Sequence, residues 1–132
     1  MPHHLPLSGV KILVVDDDAV VRGLYTIVLR DAGASVTASA TASEGIDFAT
    51  ANCPDVVITD FRMPGRDGGW LLRELRARMP ALPVIVITGD ANAPDDASLS
   101  GLGFTVILRK PVILSVLTRT VERLIRASDI VT

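Results

Sequence analysis

Only one cysteine, Cys53, occurs in 132 residues. An internal disulfide is excluded, and a reducing compartment fits. Cys53 precedes Pro54 and a run that reads as a buried strand, so it reads as a passive apolar thiol rather than a reactive one. No apolar run approaches the ~20 residues of a membrane-spanning helix. The opening Met1-Pro2-His3-His4 lacks a cationic segment followed by an apolar one, and does not read as a secretory leader. His3 and His4 lie at a chain end and read as inert rather than as metal ligands. Positive charge is not in excess: the formal net charge is −2, which gives no sign of a nucleic-acid surface. Repeats, low-complexity tracts and interdomain linkers are missing too. The expectation is a cytoplasmic protein with neither membrane nor nucleic-acid partners.

What the sequence does have is material for a core. It is 48% hydrophobic and 21% charged, which at this length suits one globular domain. Residues 1–8, with Pro2 and Pro6, read as an N-terminal tail. The domain is expected over 9–127, with a C-terminal tail at 128–132.

Along the chain, apolar runs alternate with amphipathic segments. Lys11-Ile12-Leu13-Val14-Val15 is a continuous apolar run, the pattern of a strand covered on both faces. Asp16-Asp17-Asp18 ends it. A helix follows, with Val20, Val21, Leu24, Ile27 and Val28 expected on its inner face and Gly33 closing it. Ala34–Ala38 reads as an edge strand, given Ser35 and Thr37. Thr41-Ala42-Ser43-Glu44 is a capping box opening a second helix, with Ile46 and Ala49 facing inward. Val56–Thr59 is a third strand and ends at Asp60. A loop rich in Gly and Pro leads to a helix over about Trp70–Met79, stopped by Pro80. Pro83–Thr88 is a fourth strand. Residues 89–102 read as a poor helix: Pro94 must lie at its start, and Asp95, Asp96, Ser98 and Ser100 are weak formers. Thr105–Leu108 is a fifth strand, and a last helix carries Leu114, Leu117, Val121 and Leu124. Five such β–α units imply an α/β fold: a parallel five-stranded sheet between two helical layers. The strongest apolar runs, one, three and four, should be central, as in the flavodoxin-like order 2-1-3-4-5.

In that order the carboxyl ends of strands one, three, four and five converge. Asp16, Asp17, Asp60, Thr88 and Lys110 would then share one shallow site. Three carboxylates so close repel one another, and a divalent cation is the economical counterweight. All-oxygen ligands select Mg²⁺, or another hard ion such as Mn²⁺. Lys110 supplies a point charge for phosphate. Thr88 offers a hydroxyl, and backbone N–H groups near Phe61 and Arg62 can complete an anion nest. The chemistry this equips is phosphoryl transfer to an aspartate.

These residues carry a resemblance. Val14-Val15-Asp16-Asp17-Asp18, Asp60-Phe61-Arg62-Met63-Pro64-Gly65-Arg66-Asp67-Gly68, Val86-Ile87-Thr88-Gly89 and Arg109-Lys110-Pro111 together resemble the receiver domain of two-component response regulators, CheY-like, over about residues 9–127. The resemblance implies that Asp60 is phosphorylated by a phosphohistidine of a sensor histidine kinase or histidine phosphotransfer protein. It implies Mg²⁺ bound directly by Asp17, Asp60 and the Arg62 carbonyl, with Asp16 acting through water. Lys110 would hold a phosphoryl oxygen. Thr88, with Gly89 beside it, would form the switch. The Lys110–Pro111 bond would be cis. Ile107 stands where the family usually has an aromatic residue, and Val112 where it usually has Phe. Switching is therefore expected through Ile107 and the segment 89–102, to control an unidentified downstream protein from a monomer or weak dimer. Arg62 and Asp90, each two residues beyond a site residue, are expected to form a gate over the phosphate.

Other readings compete. An aspartyl phosphatase of the haloacid dehalogenase type also uses an Asp nucleophile with Mg²⁺ and a second Asp two residues on, as Asp18 is to Asp16. Gly and Thr do not follow here, and no cap domain fits the length. A receiver used only for docking would not need the acid pair with Asp60 and Lys110. The lead-in Leu7–Ile12 and the segment Leu108–Pro111 also resemble receivers joined to hybrid histidine kinases.

Overall fold

The structure is a computed structural model, and it describes residues 5–89 and 105–131. Five strands and four helices are present among these residues. They are β1 (Lys11–Val15), α1 (Ala19–Asp31), β2 (Ser35–Ser39), α2 (Ala42–Asn52), β3 (Val56–Asp60), α3 (Gly68–Arg78), β4 (Val84–Thr88), β5 (Thr105–Arg109) and α4 (Leu114–Val131). All four strand pairings are parallel, and the order is β2-β1-β3-β4-β5. This is the flavodoxin-like α/β fold. The expected helix over 89–102 falls outside the described residues from position 90 onward.

The strands are short and their side chains alternate between two cores, as the pleat requires. Ile12 and Val14 of β1, and Val56 and Ile58 of β3, join Tyr25 and Leu29 of α1 and Leu117 and Val121 of α4. Leu13, Val15 and Val57 join Ile46 and Ala49 of α2 and Leu71, Leu72 and Leu75 of α3 on the opposite face. Each central strand is thus buried on both faces, which is why its sequence is apolar throughout rather than alternating.

Local chemistry sets the element ends. Asp18 caps α1, its carboxylate accepting from the N–H groups of Val20 (2.9 Å) and Val21 (3.3 Å). Gly33 follows the end of α1 at φ +106°, a conformation open to glycine at little cost. Thr41 caps α2, accepting the Glu44 N–H at 3.1 Å and donating its hydroxyl to the Glu44 carboxylate at 3.3 Å. Asp67 caps α3 at Trp70 N–H, 2.9 Å, so that helix begins at Gly68 rather than near Trp70.

One expectation needs correction, and two placements add to the reading. On α1 the inner stripe is Tyr25 and Leu29, with Val21 packed against the same core as expected; Val20 is 79% exposed, Ile27 61% and Leu24 45%. Apolar residues cover most of that helix, so spacing alone left two phases open. Cys53 is exposed, because it caps α2 in a left-handed conformation (φ 47°) outside the strand that follows. Structure continues into both segments read as tails. Leu7 is fully buried and its N–H donates to the Ala32 carbonyl at 2.8 Å, while α4 runs on through residues 128–131.

Candidate functional site

The registers decide which side chains meet. Val15 of β1 stands opposite Thr59 of β3, Asp60 opposite Ile87 of β4, and Thr88 opposite Arg109 of β5. The four strands therefore end within about a residue of one another. Asp16, Asp60, Thr88 and Lys110 emerge on the same carboxyl edge, where open α/β sheets bind ligands.

Hydrogen bonds hold the acidic turn after β1 on all sides. The Asp16 N–H donates to the Ser39 carbonyl of β2 at 3.1 Å. The Asp16 carboxylate accepts the Asp18 N–H at 2.9 Å. Arg22, one turn into α1, donates to the Asp16 carbonyl at 2.7 Å. Asp16 is buried, Asp17 exposed and Asp60 buried, and one oxygen from each lies within 4.8 Å of the others. Burial pushes the Asp16 carboxyl above the usual range. The Asp18 N–H opposes that shift, and the negative charge of Asp60 adds to it.

Lys110 offsets part of this charge. Its Nζ lies 3.2 Å from Asp60 Oδ1, with the Lys side chain 41% exposed and that of Asp60 8%. One hydrogen bond fixes the approach: the Lys110 N–H donates to the Thr88 carbonyl at 2.8 Å. The Lys110–Pro111 bond is cis, as the resemblance implied. Gly89 lies alongside the Lys110 stem, where an added Cβ would sit 3.3 Å from the Lys Cβ and Cδ. Thr88 is buried at the end of β4, next to Asp60's neighbour Ile87. Three hard carboxylate oxygens in one cluster, with one lysine beside them, form a donor set suited to a divalent cation of the Mg²⁺ type.

The loop after Asp60 is anchored at both ends. Phe61 N–H donates to the Ile87 carbonyl and Gly68 N–H to the Phe61 carbonyl, both at 2.8 Å. Phe61 and Met63 are buried, whereas Arg62 is exposed with its guanidinium 5.6 Å from the Phe61 ring centre. The other half of the expected gate, Asp90, lies outside the described residues. Asp18 does not join the cluster, since its carboxylate is spent on capping α1. Ile107 is half-buried against the core shared by α2 and α3.

Three features near the site escaped the sequence reading. Arg22 follows Asp18 by one helical turn, a spacing that could have flagged it. Tyr25 carries a phenol pushed up to about 12, mainly by burial and then by the charges of Asp16 and Asp60. Its place in the inner stripe was hidden by the apolar breadth of α1. Gly68 packs directly on the backbone of Asp60 and Phe61, a closeness that only the fold reveals.

Comparison with known proteins gives concordant results. Residues 12–122 match the family of the response regulator receiver domain. The DNA-binding transcriptional regulator NtrC of Klebsiella pneumoniae is 36% identical over 112 residues, 85% of this chain and 24% of that protein. The transcriptional regulatory protein FixJ of Bradyrhizobium diazoefficiens is 33% identical over 118 residues, 89% of this chain and 58% of that one. The chain thus spans about a quarter of NtrC and a little over half of FixJ. Among solved structures, a response regulator receiver domain protein from Clostridium thermocellum superposes with a TM-score of 0.86 at 31% identity, covering 93% of this chain and 99% of that one.

Proposed function

The chain belongs to the response regulator receiver family, and from that premise we propose that Asp60 accepts a phosphoryl group from a phosphohistidine and that the domain then switches to control a partner protein. The observation that carries this reading is the contact of Lys110 Nζ with Asp60 Oδ1 at 3.2 Å, beside the carboxylates of Asp16 and Asp17. A carboxylate oxygen of Asp60 forms the new O–P bond as the donor's N–P bond breaks. The bonding pair leaves on the histidine nitrogen, which takes up a proton. Lys110 meets the charge on a phosphoryl oxygen, and the Thr88 hydroxyl turns to a second one. Because Asp60 sits at the end of a strand buried on both faces, its position is fixed before the donor arrives, which is how such sites stabilise a charged transition state. Mg²⁺, or Mn²⁺, held by Asp16, Asp17, Asp60 and the Arg62 carbonyl, would supply further neutralisation of phosphoryl charge when bound.

The donor would be a sensor histidine kinase or a histidine phosphotransfer protein. The downstream partner would be a protein reached through the change at Thr88 and Ile107. Arg62, exposed at the rim, is one half of the gate we propose over the phosphorylated site, with Asp90 as its counterpart. Among the described residues no helix is long and apolar enough to cross a membrane, and a cytoplasmic location is proposed. Receiver domains are signalling modules, and we propose no turnover activity beyond slow loss of the phosphoryl group. The phosphatase alternative needs an acid two residues after Asp16 in the site, and Asp18 is instead a helix cap.

The test is incubation with acetyl phosphate and Mg²⁺ followed by intact-mass measurement. One phosphoryl adduct is expected on the wild type and none on Asp60→Asn. Equal modification of both would overturn the assignment. Sustained turnover of para-nitrophenyl phosphate would favour the phosphatase instead.

A further inference from the structure

Asp17 is the exposed member of the acid cluster, and its side chain makes none of the hydrogen bonds that hold Asp16 and Asp18. Its direction is set by the two peptide groups that flank it. On one side the Asp18 N–H is tied to the Asp16 carboxylate at 2.9 Å. On the other, the Asp16 carbonyl accepts from Arg22 at 2.7 Å. That distance is typical of a bond strengthened by charge. Arg22 is itself half-buried, and its own N–H donates to the Asp18 carbonyl at 3.0 Å within α1. The first turn of α1 therefore reaches back and clamps the peptide between Asp16 and Asp17. The guanidinium thus binds a neutral carbonyl in the turn that carries the acid pair.

We propose that Arg22 is a positioning residue that aims the Asp17 carboxylate into the cluster for a divalent cation. The inference rests on the reading of Asp16, Asp17 and Asp60 as a cation site. Two effects of Arg22 oppose each other, and their signs separate them. As a positive charge near the site, Arg22 repels a second cation, so its removal on Coulomb grounds alone would tighten binding. As the clamp on the Asp16–Asp17 peptide, its removal frees the ligand and weakens binding. Residues that orient metal ligands from behind typically matter by 10-fold or more.

The experiment is a Mg²⁺ titration of the folded domain, followed by NMR of backbone amides, for wild type, Arg22→Leu, Arg22→Lys and Val121→Ala. Val121 is fully buried in α4, so its truncation controls for general loss of stability. Arg22→Leu is expected to raise the Mg²⁺ Kd on the order of 10-fold. Arg22→Lys, which keeps a donor and the charge, should recover part of that loss, and Val121→Ala should leave Kd within about 2-fold of wild type. In metal-free protein the Asp17 and Asp18 amide signals should shift or broaden in Arg22→Leu and stay in place in Val121→Ala. Unchanged or tighter Mg²⁺ binding by Arg22→Leu would overturn the inference, as would equal weakening by Val121→Ala. Failure of the wild type to bind Mg²⁺ at millimolar concentration would instead overturn the reading of the cluster. In that case the metal-free amide signals alone would decide whether Arg22 orders the turn.

Discussion

A Cβ added to Gly68 would overlap the carbonyl oxygen of Asp60 and lie 2.9 Å from the Cα of Phe61. The first residue of α3 thus packs on the backbone that carries the site aspartate, and the loop between them is pinched shut by the Gly68–Phe61 hydrogen bond. Both obstacles are backbone, so no side chain can move aside. Gly68→Ala is expected to destabilise the domain by about 2 kcal/mol or more. Gly23→Ala is the matched comparison. It lies inside α1 with open space around it, and alanine there should add about 0.5–1 kcal/mol. Urea unfolding of both variants checks the pair; similar effects of the same sign would contradict the close approach at Gly68.

Asp16 gives a prediction with a sign that metal reverses. Burial raises its folded pKa above the unfolded value. Its contribution to stability is therefore fully present below the unfolded pKa and is lost as pH rises through the folded one. At neutral pH the ionised, buried carboxylate weighs against folding. Asp16→Asn keeps an oxygen for the Asp18 N–H and removes the charge. In metal-free buffer at pH 7 the variant should be more stable, on the order of 1 kcal/mol, or a few degrees in Tm. The difference should shrink below about pH 4, where model carboxyls protonate. Millimolar Mg²⁺ should stabilise wild type more than the variant, since a ligand that binds only the folded state raises its stability by mass action. Thermal melts at pH 7 and in acid, each with and without Mg²⁺, measure all of this.

Much of the site could be read from the sequence because it depends on strand ends. A run such as Val56-Val57-Ile58-Thr59-Asp60 announces its own termination, and parallel topology aligns such ends without further information. The cap at Thr41 was legible for the same local reason. Three features resisted. The phase of α1 depends on how the helix rolls against β1 and α4, and Val20, Leu24 and Ile27 have the same spacing as a core stripe. The exposure of Cys53 depends on a left-handed backbone that its type does not favour. The role of Arg22 depends on its side chain reaching back past the cap to the Asp16 carbonyl, and the one-turn spacing from Asp18 places the residue without telling where its guanidinium goes.

Lys110 should matter for rate far more than for folding. Its ammonium is partly exposed, so its pairing with Asp60 is screened by solvent and adds little stability. In a phosphoryl-transfer site the same charge acts where negative charge accumulates. Lys110→Ala is expected to slow the acetyl phosphate reaction by about 100-fold while moving the unfolding midpoint little. Rates come from the intact-mass time course. A variant that is phosphorylated as fast as wild type would remove Lys110 from the mechanism.

The two stripes of α1 make opposite forecasts, which tests the orientation of the helix directly. Leu29 is completely buried against the sheet and α4, and Tyr25 lies beside it. Removing the Leu29 side chain leaves a cavity in a close-packed layer, so Leu29→Ala should cost about 2–5 kcal/mol. Leu24 and Ile27 belong to the other stripe, whose outward turn leaves them in contact with water already. Replacing them with polar helix formers gives up little apolar burial and loses no helix propensity. Leu24→Gln and Ile27→Lys should therefore each change stability by less than about 0.5 kcal/mol. The inward assignment expected from spacing predicts the reverse ranking, with Leu24→Gln and Ile27→Lys severely destabilising because polar groups would enter the core. Denaturant midpoints of the three variants, measured with their m-values, distinguish the two rolls of the helix. A Leu24→Gln variant as damaged as Leu29→Ala would mean that α1 packs through the stripe seen here facing solvent.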